Sequence, residues 1–365
     1  MRKWNFNPGP AVLPLPVLET LQKNTVEFNG LGMSILEMSH RSKDFEAVLN
    51  AAKARLAEVF SVPDTYEILF LGGGASLQFS MVPMNFMKDG AADYVVTGGW
   101  AKKALKEAKI WAAISGGKPA AAATTEPDNF TRLPRPEEIK LTPGAKYVHL
   151  TSNNTLYGTE WHTWPKLPAG LRVVCDMSSD ILSHAVDPTK FDLIYAGAQK
   201  NLGPAGVTLV IVKKDWLTEC PDNLPTMLNY KTHAENNSLY NTPPVYGIYV
   251  VKLVLDWIKD QGGLKAVEAV NARKAELLYG IMDKYADYYR GTVVDKPGRS
   301  WMNVPFRLPS EELEAKFIKE ASAAGFVGLK GHRSVGGIRV SMYNALPVAG
   351  IEALVKFMED FKKAN

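Results

Sequence analysis

Cysteine is nearly absent from this chain. Cys175 and Cys220 are the only two in 365 residues, and no CxxC spacing occurs. That excludes a disulfide framework and a cysteine-based zinc site, and it fits a reducing compartment. Blocks of like charge are missing as well. The formal net charge is +4, yet the basic residues come singly or in pairs such as Lys213-Lys214 and Lys362-Lys363. No nucleic-acid surface is expected from such scatter. No apolar run approaches membrane-spanning length, and Met1–Pro10 lacks the apolar region of a signal peptide, so the expected location is cytoplasmic. Neither HExxH nor G-x-S-x-G is present, which leaves metallohydrolase and serine-hydrolase readings without support. There is no internal repeat, and Ala113–Thr125 reads as an Ala/Gly-rich loop.

What is present is a long alternation of short apolar runs and helical spacing. The length predicts two domains or one large one, and 46% hydrophobic with 22% charged residues is ordinary for a globular protein with a large core. Residues 1–14 read as an extended arm. Helical spacing covers Pro16–Phe28 and Ser42–Phe60, with Ser42 as N-cap. Strands are expected at 66–71, 92–97, 146–150, 171–176, 191–195 and 207–212, with helices between several of them. That order predicts an α/β fold with a mostly parallel sheet covered on both faces. Long helices follow at about 244–260 and 263–288. The pattern then changes: strand-like 301–308, helical 310–323, a strand at 336–343 and a last helix at 347–363. The expected division is a large domain, 1–257, and a smaller α+β domain, 258–365.

The polar residues of interest fall at strand ends. Gly72-Gly-Gly-Ala-Ser-Leu-Gln78 is a glycine-rich turn from strand to helix, which places backbone N–H groups and a positive helix end together and suits a phosphate. Trp100 lies at the next strand–helix junction, as core packing or as a flat face for a flat ligand. Thr155 follows a third strand, and Asp176 ends a fourth. Lys200 stands in Ala196–Gly206, between an apolar run and a Gly203-Pro-Ala-Gly206 turn. It is either a surface lysine or one held in a pocket, where burial favours the neutral, nucleophilic amine able to form a Schiff base. Ligands of parallel sheets bind outside the strand C-termini, where these residues converge. His40-Arg41 precede a helix, a placement that opposes the macrodipole and suggests anion binding or a solvated loop. Arg339 lies within an apolar strand, costly there unless paired with an anion or a structural carboxylate.

Six motifs then carry a resemblance that runs end to end. They are Asn7-Pro-Gly-Pro10, Ser39-His-Arg-Ser42, Gly72-Gly-Gly-Ala-Ser-Leu-Gln78, Ala198-Gln-Lys-Asn-Leu-Gly-Pro204, Tyr240-Asn-Thr-Pro-Pro244 and Gly336-Gly-Ile-Arg-Val-Ser-Met-Tyr-Asn-Ala345. Together the chain resembles the phosphoserine aminotransferases, a group of the class V, fold-type I aminotransferases. The resemblance implies pyridoxal 5′-phosphate as cofactor. It implies that Lys200 forms the Schiff base and moves the proton, that Asp176 pairs with the ring nitrogen, and that Trp100 stacks on the ring while Thr155 bonds its substituents. Ala75, Ser76 and Gln199 would hold the cofactor phosphate, joined by Asn241 and Thr242 of a neighbouring subunit, so a homodimer is implied. Arg339 would clamp the substrate α-carboxylate. His40, Arg41, His332 and Arg333 would receive the far anion of phosphoserine or glutamate. The implied reaction is reversible transamination between O-phospho-L-serine with 2-oxoglutarate and 3-phosphohydroxypyruvate with glutamate, in serine biosynthesis. Some relatives also use 4-phosphohydroxythreonine in pyridoxine biosynthesis.

Some members of the family carry an arginine in the glycine-rich turn, where this chain has Ala75. Even so, the cations suit the charge of phosphoserine, about three negative charges near neutral pH. A serine–glyoxylate or alanine–glyoxylate aminotransferase needs only one carboxylate clamp. A cysteine desulfurase needs a mobile-loop cysteine, and Cys175 reads as core. A non-catalytic binding protein would have no use for both Lys200 and Asp176.

Overall fold

In this computed structural model, which describes residues 2–365, the chain opens with strand β1 (Trp4–Asn5) and helices α1 (Leu15–Asn24) and α2 (Lys43–Phe60). An alternation follows: β2 (Tyr66–Leu71), α3 (Gly74–Phe86), β3 (Ala91–Val96), α4 (Gly99–Ser115), β4 (Lys118–Thr124), β5 (Tyr147–Thr151), β6 (Arg172–Asp176), β7 (Leu193–Gly197) and β8 (Thr208–Lys213). Short helices α5 (Lys214–Leu217) and α6 (Tyr230–Glu235) lead to α7 (Val245–Asp260) and α8 (Leu264–Lys284). The last part holds β9 (Arg290–Gly291), β10 (Asn303–Arg307), α9 (Glu311–Ala323), β11 (Phe326–Val327), β12 (Ile338–Ser341) and α10 (Val348–Ala364).

Strands β2 to β8 make one sheet in the order β2-β8-β7-β6-β5-β3-β4. Only β8 runs against its neighbours; the pairs from β7 across to β4 are parallel. The two-residue period of a strand sends alternate side chains to opposite faces. On β7, Ile194 and Ala196 enter the core shared with α2 and α7, whereas Leu193 and Tyr195 enter the core shared with α3 and α4. Both faces are therefore apolar and both are covered, the α/β layering expected from the sequence. Ser42 caps α2 as expected, its side chain accepting from Phe45 N.

One expectation is corrected. Lys118–Thr124, read as loop, is the edge strand β4, paired in parallel with β3. Its run of alanines carries no β-branched or aromatic signal. An edge strand beside β3 is held by backbone hydrogen bonds, and α4 packs over it.

The C-terminal part has its own antiparallel sheet, β12-β10-β9, with Pro305 opposite Arg339. Its core joins Phe306, Phe317, Ile338, Val340, Ile351 and Phe361. Phe6 of the N-terminal arm belongs to this core, and β1 pairs with β11. The arm then crosses to the large sheet, where Ala11 N donates to Gln199 O at 2.9 Å. Among the described residues no helix is long and apolar enough to cross a membrane.

Candidate active site

Because the strands from β7 to β3 run parallel, the residues that follow them emerge on one edge of the sheet. Asp176 is the last residue of β6, Lys200 follows β7 by three residues, Thr155 follows β5, and Trp100 is the second residue of α4 after β3. The turn after β2 arrives at the same edge because β8 reverses between β2 and β7. A cavity of about 130 Å³ forms there, lined by Ala75, Ser76, Trp100, Thr155, Asp176, Gln199 and Lys200. All seven were expected to face the cofactor.

Lys200 Nζ donates to Thr155 Oγ1 at 2.7 Å and lies 5.9 Å from the centroid of the Trp100 ring. Burial in the protein lowers the Lys200 pKa to about 8; the Asp176 charge opposes that shift, and Arg339 adds to it. The lysine still touches the open cavity, so it is reachable there by a small molecule. The arm shapes its other side. Gly9 has φ +135°, and a Cβ built on it would stand 3.3 Å from Lys200 Cγ, so a larger residue would crowd the lysine stem.

Asp176 is only 5% exposed. Burial raises its pKa; its hydrogen bond from Ser178 and the charge of Lys200 work the other way. Ser178 N donates to Asp176 Oδ1 at 2.9 Å, and Ser178 Oγ accepts from Gly197 N at 3.1 Å. Ser178 thus ties the Asp176 turn to the end of β7. At the other end of the cavity, Gly73 (φ +84°) and Gly74 (φ +65°) make the turn into α3. A Cβ on Gly73 would collide with Leu77. The turn leaves the first N–H groups of α3 with no intrahelical acceptor. The motif's last residue, Gln78, plays a different part: it is buried and accepts from Tyr230 OH at 2.6 Å.

Arg339, on β12, reaches across from the C-terminal sheet. Its Nη1 donates to the Thr155 carbonyl at 3.1 Å, while its Nε is buried without a partner. No carboxylate pairs with it among the described residues, and burial lowers its pKa. A buried guanidinium with an unused N–H and no carboxylate partner among the described residues can take an anion. His332 and Arg333 stand on the loop before β12, lining an open groove with Arg307 and Glu314. Partial burial, then Arg339, Arg333 and Lys103, lower the His332 pKa.

Besides Arg339, His332 and Arg333, four expected residues are absent from the lining of this cavity. Asn241 and Thr242 are exposed and line a separate cavity of about 200 Å³ with Gly72 and Leu77. Arg41 is exposed and His40 half-buried; they end a segment that also exposes Leu31, Met33 and Leu36. The sequence reading missed Phe79, Thr151, Asn153, Ser178 and Ser179, which also line the Lys200 cavity. The signal for the last two was their position two and three residues after Asp176.

These residues fit pyridoxal phosphate: a pocketed lysine of lowered pKa, a carboxylate facing it, an indole face and a helix-start cradle. Residues 3–354 match the family model described as aminotransferase class-V. The chain is 53% identical to the phosphoserine aminotransferase of Geobacillus kaustophilus over 99% of both chains. Among solved structures it resembles phosphoserine aminotransferase from Bacillus circulans subsp. alkalophilus, with TM-score 0.95 and 53% identity over 100% of this chain and 99% of that one. It also resembles the PLP-bound phosphoserine aminotransferase of Trichomonas vaginalis, with TM-score 0.94 and 37% identity over 98% and 100%.

Proposed function

The chain belongs to the class-V aminotransferases, and from that premise and the geometry around Lys200 we propose the reaction and the part each residue plays in it. The reaction is reversible amino transfer between O-phospho-L-serine with 2-oxoglutarate and 3-phosphohydroxypyruvate with glutamate. The observation that carries the residue roles is the convergence of Lys200, Asp176, Trp100 and Thr155 from separate strand ends on one cavity.

Bound there, pyridoxal 5′-phosphate supplies an aldehyde that joins to amines and a ring that takes up the electron pair left when a Cα–H bond breaks. The protein supplies the rest. Lys200 Nζ anchors the cofactor and then carries the proton away from substrate Cα. Its lowered pKa leaves a larger share of free amine than an ordinary lysine has. Asp176 keeps a proton on the ring nitrogen, so the ring can accept charge. Trp100 covers one face of the ring and excludes water, and the Thr155 hydroxyl orients both Lys200 and the ring substituents. Ala75, Ser76 and Gln199 hold the cofactor phosphate at the start of α3.

Arg339 clamps the substrate α-carboxylate, using the N–H it has free. His332 and Arg333 take the far anion. Asn241, Thr242, His40 and Arg41 act in a homodimer, each set reaching the neighbouring subunit's cavity. Their exposure in a single chain supports this, as does the exposed apolar surface beside them: Leu36 is 59% and Tyr240 47% exposed. The cofactor site belongs to a large domain, 1–257, and the substrate arginine to a smaller one, 258–365. The free thiols of Cys175 and Cys220 suit a reducing cytoplasm.

The test is an absorbance spectrum of the purified protein, followed by titration with phosphoserine, serine and alanine. A visible band bleached by phosphoserine at concentrations where serine and alanine do nothing is the expected result. Equal bleaching by all three would remove the phosphate selectivity. Absence of any band after adding pyridoxal phosphate would remove the reading altogether.

A further inference from the structure

Behind Asp176, on the protein side of the cavity, lies a second carboxyl group that the reaction above does not use. Asp180 is 4% exposed, and its neighbours Ser152 and Glu160 are both at 0%. Ser152 Oγ sits within hydrogen-bond reach of two acceptors, Asp180 Oδ1 and the backbone carbonyl of Asp176, the latter at 3.0 Å. A serine hydroxyl has one hydrogen, and a carbonyl has none to give. Both contacts are hydrogen bonds only if Asp180 brings the second hydrogen: Asp180 donates to Ser152, and Ser152 donates to the Asp176 carbonyl. With Asp180 ionised, the serine hydrogen turns to it, and Oγ is left facing the Asp176 oxygen lone pair to lone pair.

The surroundings favour the first arrangement. The groups that face Asp180 electrostatically are Glu160 and Asp176, both acidic, with Lys200 beyond the strand ends and the neutral Cys175 and Tyr343. No cationic side chain forms an ion pair with Asp180 among the described residues. Glu160 differs: its Oε2 accepts from Trp301 N at 2.6 Å, and His184 Nδ1 stands 3.7 Å from its Oε1. A buried carboxylate without a cation, set among other acids, costs more than keeping the proton. Burial, then Glu160, push the Asp180 carboxyl well above its ordinary range.

We propose that Asp180 works as a neutral carboxylic acid, a positioning residue that holds the end of β6 through Ser152 and leaves Asp176 the one negative charge at that end of the cavity. The proposal rests on the reading of Asp176 as the partner of the ring nitrogen. Its value to the reaction is electrostatic. An ionised Asp180 would discourage ionisation of Asp176 and would hold Lys200 in its ammonium form; a neutral one does neither.

Two measurements test it. In the infrared difference spectrum of the protein against Asp180→Asn, a protonated-carboxyl C=O stretch should be present in the parent and gone from the variant. In the cofactor-loaded protein, Asp180→Ala and Ser152→Ala should each lower kcat about tenfold, with a double variant no worse than either single one. Asp180→Asn, whose amide can donate to Ser152 as the acid does, should recover kcat to within about threefold and keep the pH profile of the visible band. Absence of the acid band overturns the proposal, as does its persistence in Asp180→Asn. A shift of the visible-band midpoint by about one pH unit in Asp180→Asn overturns it too, since that variant then removes a charge. The infrared band does not depend on transamination. If the band is present and phosphoserine is no substrate, the proposed reaction fails while the protonated Asp180 stands.

Discussion

Two lysines sit deep in this protein, and their surroundings send them to opposite uses. Lys200 faces a cavity with a single hydrogen bond, to Thr155. Lys274, on α8, has no exposure. Its Nζ donates to the carbonyls of Met342, Tyr343 and Leu346 at 2.9, 2.9 and 3.1 Å. Burial lowers the pKa of both, Lys200 to about 8 and Lys274 to about 7. Three carbonyl acceptors oppose that fall at Lys274, because only an ammonium has three N–H groups to give. A lowered pKa is therefore no mark of a reactive lysine; space on one side of the amine is. Lys274 instead fixes the turn after β12. In that turn Asn344 N donates to Asn201 Oδ1 at 3.0 Å, next to Lys200. Lys274 thus helps to hold the segment that carries Lys200.

The comparison can be broken from either end. Lys200→Ala should lower turnover by at least about 10⁴-fold while circular dichroism and melting temperature stay near the parent's. A variant that still turns over at the parent rate would erase the distinction. Asp176→Asn should lower kcat about 10²- to 10³-fold with cofactor retained in the visible spectrum; no carboxylate contributes to the Lys274 shift, so this effect has no counterpart there. Arg339→Lys should raise KM for phosphoserine and glutamate together, roughly tenfold or more, because the α-carboxylate is common to both and a lysine cannot make the bidentate pair. Lys274→Met should leave carbonyls unpaired in the interior and lower stability by about 3 kcal/mol. In a denaturant titration the loss should appear in the midpoint, and kcat per folded molecule should fall much less than in Lys200→Ala.

The smallest effect is in pH. In the cofactor-free protein the folded Lys200 gives up its proton near 8, against an ordinary value of 10.5. Above 10.5 both folded and unfolded chains hold the neutral amine, and burial costs nothing. As pH falls toward 8 the unfolded chain takes up a proton that the folded one refuses, so stability falls through that window and is level below it. Melting temperature measured across the window should rise with pH in the parent and rise less in Lys200→Ala. Equal slopes would mean that the amine titrates normally.

Much of the cavity was legible because a parallel sheet collects its functional residues at one edge. Once Thr155, Asp176 and Lys200 fall at the ends of apolar runs, their convergence follows from the fold class. Trp100 and the turn of Gly72 to Gly74 followed for the same reason. What was not legible depends on contacts rather than pattern. The alanines of β4 carry no strand signal of their own. Asp180 sits in Met177-Ser-Ser-Asp180, which reads as a polar turn; only its burial beside Ser152 gives it a role. Nothing in Asn271-Ala-Arg-Lys274 marks its last residue as interior, since its acceptors come from a turn near residue 343. Asn241, Thr242, His40 and Arg41 lie away from the Lys200 cavity, and no strand-end rule predicts where they fall.

The N-terminal arm joins regions far apart in the chain. Tyr343 OH donates to the Pro8 carbonyl at 2.8 Å across 335 positions, while Gly9 presses on the stem of Lys200. At ribosomal speeds that separation is roughly 20 to 70 s of elongation. The large sheet with its lysine can form on the ribosome during that time, but the arm has no final seat until β11 and β12 exist. The contacts that seat the arm therefore become available only after every strand of the large sheet has been synthesised.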